Sequence, residues 1–175
     1  LLRALSRRGQ AVSPIKIGPD YIDPGFHAAA CGADCWNLDA WALGPAAYVD
    51  VIRRSEARGT LVVAEGVMGL FDGATLDEGA TADVAASTGW PVILVVDASG
   101  MAASIAALVH GFATFRPDVR VGGVIANKIG SSRHRAILAE ALERIDIPLL
   151  GALPRDPELA LPSRHLGLVL AGERE

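Results

Sequence analysis

Hydrophobic and polar positions along this chain keep switching between two rhythms. Short apolar runs rich in β-branched residues alternate with stretches where apolar residues recur every three or four positions. Strands and helices therefore take turns. Leu1 to Arg8 reads as the last turns of an amphipathic helix closed by Gly9. Val12 to Ile17 reads as a short strand, and Pro14 within it suggests an edge or an irregular start. Pro24 to Ala33 fits a short helix. Pro45 to Arg58 predicts a longer one, with Pro at its first turn and Gly59 after its end. Thr60 to Ala64 and Pro91 to Val96, the latter ending on Asp97, read as strands of the buried type. Gly79 to Thr88 and Met101 to Phe115 predict helices, the second stopped before Pro117. Val121 to Ala126 predicts a strand ending on Asn127-Lys128. Ser131 is placed to cap a helix whose Ile137, Leu138, Ala141, Leu142 and Ile145 recur at helical spacing. Pro148 to Leu153 reads as a last strand. The tail from Pro154 shows no period and reads as the start of a linker.

That order predicts an α/β fold, a mostly parallel sheet with helices on both faces. Right-handed crossovers bring the C-terminal strand ends to one edge, where such sheets hold their ligands. The expected edge gathers Lys16, Asp20, Asp23, Glu65, Asp72, Asp97, Asn127 and Lys128. Within it, Lys16 to Pro24 sets one cation and two carboxylates at the mouth of a turn broken open by Gly18, Pro19 and Pro24. Glu65 to Gly73 repeats the arrangement after the next strand.

Composition narrows the picture. The chain has 175 residues, enough for one domain with a sizeable core. It is 51% hydrophobic, which excludes a disordered chain. A net charge of −4 and the lack of a basic run argue against nucleic acid as partner. No apolar run reaches the roughly 20 residues of a bilayer span, so no membrane partner is expected. No secretory signal pattern occurs, and Cys31 and Cys35 do not make a disulfide framework, which points to a reducing cytoplasm. The chain has no initiator Met and opens inside a helical pattern, so it reads as a piece of something longer.

The candidate chemistry is carried mainly by carboxylates. Mg²⁺ prefers oxygen ligands and takes one or two carboxylates together with phosphate oxygens and water. Acids concentrated near a sheet edge therefore fit a metal–nucleotide site. For Asp20, Asp23, Asp39 and Asp72, capping of a turn or helix is the commoner role and stays open. Glu65 differs, because it interrupts an apolar strand end before Gly66 and Gly69. Lys16 is either an ordinary edge-strand lysine or a cation for phosphate or a substrate carboxylate. Asn127 offers hydrogen bonds for a purine edge, with the Lys128 stem alongside. His27, Cys31 and Cys35 lie four apart, but three ligands in a helix weakened by Gly32 and Asp34 make a poor zinc site. Ser99 and Ser104 have no Gly-x-Ser-x-Gly elbow around them. No phosphate-cradling Gly-x-x-x-x-Gly-Lys-Ser/Thr run occurs; such a loop would be expected just before Leu1.

Four blocks go further. Lys16-Ile-Gly-Pro-Asp-Tyr-Ile-Asp-Pro-Gly-Phe-His27, Asn37-Leu-Asp-Ala-Trp41, Glu65-Gly-Val-Met-Gly-Leu-Phe-Asp-Gly73 and Ser163-Arg-His-Leu-Gly-Leu168 resemble the cobyrinate (or hydrogenobyrinate) a,c-diamide synthases. The resemblance covers essentially the whole chain. It implies a P-loop NTPase-like fold, similar to dethiobiotin synthetase, lacking its first strand and P-loop. It also implies ATP and Mg²⁺ as cofactors and a corrin or related tetrapyrrole as substrate. Ammonia would come from glutamine in a separate glutaminase domain, which is missing here. The products would be amides of the a and c acetates, formed through phosphorylated carboxylates. By the same resemblance Glu65 is the best Mg²⁺ ligand and Asp39 a second. Asp20, Asp23 and Asp72 belong to the reaction centre, Lys16 steadies the transferred phosphoryl group, and Asn127 and Lys128 face the base. A homodimer is compatible with it. Such a fragment is expected not to turn over ATP by itself. A nickel tetrapyrrole substrate, a P-loop partitioning or scaffold ATPase, and an inactive structural fragment remain as alternatives.

Overall fold

A computed structural model describes residues 1–56 and 61–157. These fall into two compact units, Leu1–Val84 and the chain from Ala85 on. Each unit holds a three-stranded parallel sheet flanked by helices, the α/β arrangement expected, and the strand-end residues are described unit by unit.

The first unit runs α1 (Leu2–Arg7), β1 (Val12–Ile17), α2 (Asp23–Cys31), β2 (Trp36–Leu38), α3 (Pro45–Glu56) and β3 (Leu61–Gly66), with strand order β2-β1-β3. β1 is therefore central, not the edge strand that Pro14 suggested. Every residue of β1 is buried, Lys16 included. The hydrogen bonds explain how a proline sits there. Ala11 and Ile17 direct their carbonyls to the β3 side, accepting from Leu61 and Val67, whereas Gly18 donates to the carbonyl of Leu38, the last residue of β2. By alternation the even-numbered residues of β1 face β2. Pro14 faces that side one residue before pairing with β2 begins at Ile15 and Trp36, so its missing N–H breaks no ladder bond. β2 itself is not predicted by the pattern, because three residues carry no period. α2 stops two residues before the expected Ala33, where Gly32 takes a left-handed φ of 73°. The predicted end of α3 at Arg58-Gly59 and the start of β3 at Thr60 lie outside the described residues. β3 is less buried than expected: Leu61 is 46% exposed and the strand continues through Glu65.

α4 (Thr81–Thr88) spans the division between the units. The second unit continues with β4 (Val92–Asp97), α5 (Ser104–Phe115), β5 (Val121–Ile129), α6 (Ser132–Glu143) and β6 (Leu149–Pro154), in the order β4-β5-β6. Its core packs Val96, Ile105, Val109, Val124, Leu138, Leu142 and Ile147 together. Ser131 caps α6 as predicted, its Oγ accepting from the His134 N–H at 3.1 Å. β4 is not buried on both faces. It is an outer strand, and its alternate residues Ile93 and Val95 are 46% and 66% exposed. Pro154, expected to open a linker, instead ends β6, and the rest of that linker from residue 158, with the Ser163–Leu168 block, lies outside the described residues.

Candidate functional site

The site in the first unit is built from a row across the sheet. Register pairs Lys16 with Asn37 of β2 on one side and with Glu65 of β3 on the other. Partners in register share a face, so the amide, the ammonium and the carboxylate stand side by side. The chain after β1 then folds back over the row. Asn37 holds this return by donating from Nδ2 to the carbonyls of Gly18 at 3.1 Å and Asp20 at 2.5 Å.

Lys16 ends among three carboxylates. Its Nζ lies 2.5 Å from Asp23 Oδ2, 3.6 Å from Asp20 Oδ2 and 3.9 Å from Glu65 Oε1, with 3% of its side chain exposed. Burial pushes the ammonium toward neutrality. The hydrogen bond to Asp23 and the charges of Glu65, Asp23 and Asp20 outweigh it, and the Lys16 pKa is raised. Asp20 shows the mirror case. Burial works to raise its carboxyl, but the N–H groups of Ile22 and Asp23, with the Lys16 charge, hold it below the ordinary value. Those two N–H groups donate to Asp20 Oδ1 at 2.8 and 3.0 Å, so Asp20 is both turn cap and charge partner.

α2 lays a second pair on the row. Asp23 and His27 are four apart and share a face of the helix. Asp23 meets Lys16, while His27 Nε2 lies 2.7 Å from Glu65 Oε2. That nitrogen is buried and out of line for a hydrogen bond, so the approach is an ion pair when the imidazole is protonated. The thiols take no part with His27's ring. Cys31 donates to the His27 carbonyl at 3.1 Å, and burial, then the neighbouring Cys31, pushes the Cys35 thiol up to about 11.

Beside the row is a cavity of about 110 Å³, whose wall includes Gly18, Asp39, Trp41, Val67, Met68 and Asp72. Gly18 has a φ of 105°, and a side chain on it would meet Val67 Cγ2 at 3.1 Å. The loops after β1 and β3 approach closely because that position is glycine. Asp39 turns its Oδ1 back to the N–H groups of Trp41 and Ala42, both at 3.0 Å. Trp41 and Met68 are 64% and 53% exposed at the rim.

The second unit has its own strand-end cluster. Asp97 and Asn127 are register partners on β4 and β5. Lys128 adopts a left-handed φ of 58° where the β5–β6 register shifts. Its Nζ reaches Asp97 Oδ2 at 2.5 Å.

Of the residues expected from sequence, Lys16, Asp20, Asp23 and Glu65 come together. Asp39 and Asp72 share the cavity wall, where Glu65 does not stand. Asn127 and Lys128 belong to the other unit. Lys16 is not the ordinary edge-strand lysine that was one of its two readings, because its strand is central. Among the described residues no group of three or more His, Cys, Asp and Glu side chains is arranged to hold a metal ion unaided. Sequence reasoning missed His27 as a partner of Glu65 and Asn37 as the clamp on the return loop. The four-residue spacing of Asp23 and His27 puts both on one face of a helix but does not say which residues they meet.

Residues 1–169 match a family model described as the CobQ/CobB/MinD/ParA nucleotide binding domain. The chain belongs to this family. Within reach of it lie curated proteins named hydrogenobyrinate a,c-diamide synthase. That of Brucella anthropi is 58% identical over 174 residues, 99% of this chain and 40% of the relative. Those of Brucella suis and Rhizobium meliloti are 55% and 51% identical with the same coverages. The name is the one the four sequence blocks resemble. The chain spans about 40% of the length of these relatives. Among solved structures, chloroplast FtsY from Physcomitrella patens superposes with a TM-score of 0.55 at 20% identity, covering 85% of this chain and 50% of that one. At that identity the likeness shows the α/β fold alone.

Proposed function

We propose that this chain is the ATP-binding synthetase part of a longer ligase that converts the a and c acetate carboxylates of a corrin, hydrogenobyrinate or cobyrinate, to amides in cobalamin synthesis. The observation that carries the reading is 51–58% identity along 99% of the chain to proteins named for that reaction. The Lys16 cluster gives it a physical basis. Ammonia does not displace oxide from a carboxylate, so the carboxylate must first gain a better leaving group. A substrate carboxylate oxygen attacks the γ-phosphorus of ATP, and ADP departs. Ammonia, released from glutamine elsewhere in the longer protein, then attacks the acyl carbon. Phosphate leaves and the nitrogen loses a proton. Catalysis of such a transfer is mostly positioning and charge neutralisation.

The roles proposed for single residues rest on the resemblance of the sequence blocks, with the Lys16 cluster in support. Lys16 is the cation at the transferred phosphoryl group, and Asp20 and Asp23 keep it charged and fixed. Mg²⁺ fits the donor set through Glu65, an oxygen ligand whose side chain is 55% exposed, better than through Asp39, which caps a turn. When bound, it neutralises phosphate charge. Asp72 stands on the cavity wall, where the exposed Trp41 and Met68 offer flat, polarisable contact to a macrocycle. In the second unit, taken by itself, Asn127 and Lys128 are the residues proposed to meet a nucleotide base.

The test uses the full-length protein with Mg-ATP and glutamine, offered hydrogenobyrinate, cobyrinate or a nickel tetrapyrrole, with amide gain followed by mass spectrometry. Two additions on a corrin support the proposal. Two additions only on the nickel tetrapyrrole move it to that substrate. A partitioning or scaffold ATPase, a reading kept alive by the MinD and ParA members of the family, would hydrolyse ATP with no amide on any of the three.

A further inference from the structure

Asp97 has a geometry that the amidation chemistry leaves unused. Its two carboxylate oxygens are both engaged. Oδ1 accepts from the Ser99 N–H at 3.0 Å and the Ser99 hydroxyl at 2.6 Å, and Oδ2 takes the Lys128 ammonium. The lysine hydrogen bond, then the two Ser99 bonds, hold the carboxyl far below the ordinary range. Asp97 is thus saturated and has little left to offer a ligand. What it does is aim Lys128. That residue sits in left-handed backbone that side chains other than glycine's adopt at a cost. A glycine there would relieve the strain, so the lysine side chain needs another explanation. Pinned at its tip, its methylene stem bridges from the end of β5 to the end of β4. The same backbone turn sends the Lys128 N–H to Asn127 Oδ1 at 2.9 Å. The Asn127 amide is therefore oriented, with its Nδ2 donors and an Oδ1 lone pair left over. A fixed stem beside an oriented amide suits a purine, the stem lying on the ring face and the amide reading an adenine N6/N7 edge. The surrounding loops are braced separately. His134 Nε2 lies 2.7 Å from the Met101 carbonyl and its Nδ1 accepts from the Gly130 N–H at 3.1 Å, tying the segment after β4 to that after β5.

We infer that Asp97 is a positioning residue for base selection, acting through Lys128 and Asn127 without touching the nucleotide. The inference rests on the nucleotide-binding reading of this strand end. The experiment measures ATP and GTP dissociation constants by calorimetry for the full-length protein, its Asp97→Asn variant and its Lys128→Gly variant, with melting temperatures alongside. Wild-type protein is expected to prefer ATP. Asp97→Asn should weaken ATP binding about tenfold, as loss of a fixed charge-assisted contact implies, with a smaller effect on GTP, so the preference shrinks. Lys128→Gly should lose the same preference without losing thermal stability, because it relieves the backbone. An unchanged ATP:GTP ratio in both variants overturns the inference, as does a parallel loss for both nucleotides. Wild-type protein that binds neither nucleotide overturns the nucleotide reading itself, a failure visible before any variant is compared.

Discussion

Lys16 keeps its charge in a nearly closed site because three carboxylates surround it, and each of those is more exposed than the lysine. Lys16→Met should destabilise the protein by about 2–3 kcal/mol, less than the about 3–5 kcal/mol of a fully buried pair because water still reaches Asp23 and Glu65. Urea unfolding of the two proteins at pH 7 measures it. The same cluster sets a pH window. Asp20 has a folded pKa below its ordinary 3.8, so its contribution is present above that value and is lost as pH falls below it. Lys16 is raised above its ordinary 10.5, so its contribution is present below that value and is lost as pH rises past it. Urea midpoints should therefore stay level between these limits and fall on either side. Asp20→Asn should flatten the acid limb; an acid limb of unchanged slope would remove Asp20 from the account. At this scale the acids and the lysine were legible in the sequence, since charges after apolar runs stand out. Their partners were not. That Asp23 finds Lys16 while His27 finds Glu65 depends on the register of β1 against β3, which no local pattern encodes.

Elements position these groups through close backbone approach. Gly66 ends β3, and a Cβ there would collide with Thr81 Oγ1 at the start of α4. Gly66→Ala should cost about 1–3 kcal/mol by overpacking. Adding Thr81→Ala should recover part of it in the double variant, and a cost that Thr81→Ala leaves untouched would place the strain elsewhere. In the second unit Leu138 is fully buried between α6 and the sheet, and Leu138→Ala should lose about 2–5 kcal/mol in chemical denaturation. Most elements were readable because apolar runs and caps such as Ser131 are local signals. Two misreadings have physical causes. Pro14 looked like an edge marker, yet a central strand tolerates it where its neighbour has not yet begun. The run Pro-Val-Ile-Leu-Val-Val looked buried on both faces, yet β4 is an outer strand with Ile93 and Val95 uncovered.

At the scale of the molecule, the family and the relatives give the nucleotide fold and the name of a reaction, and the Lys16 cluster supplies a place where phosphoryl charge could be met. The central claim is that this cluster is the reaction centre, and that its lysine serves chemistry beyond stability. The most direct measurement is single-turnover amide and ADP formation by the full-length Lys16→Met protein beside wild type, on a corrin substrate with saturating Mg-ATP and ammonia. Below its melting temperature, the variant should bind ATP within a few-fold of wild type. It should lose both ADP and amide formation by about 10³-fold, the scale expected when a preorganised charge is removed from a phosphoryl-transfer site. Amide formation within tenfold of wild type would contradict the account and reduce the cluster to a structural ion pair.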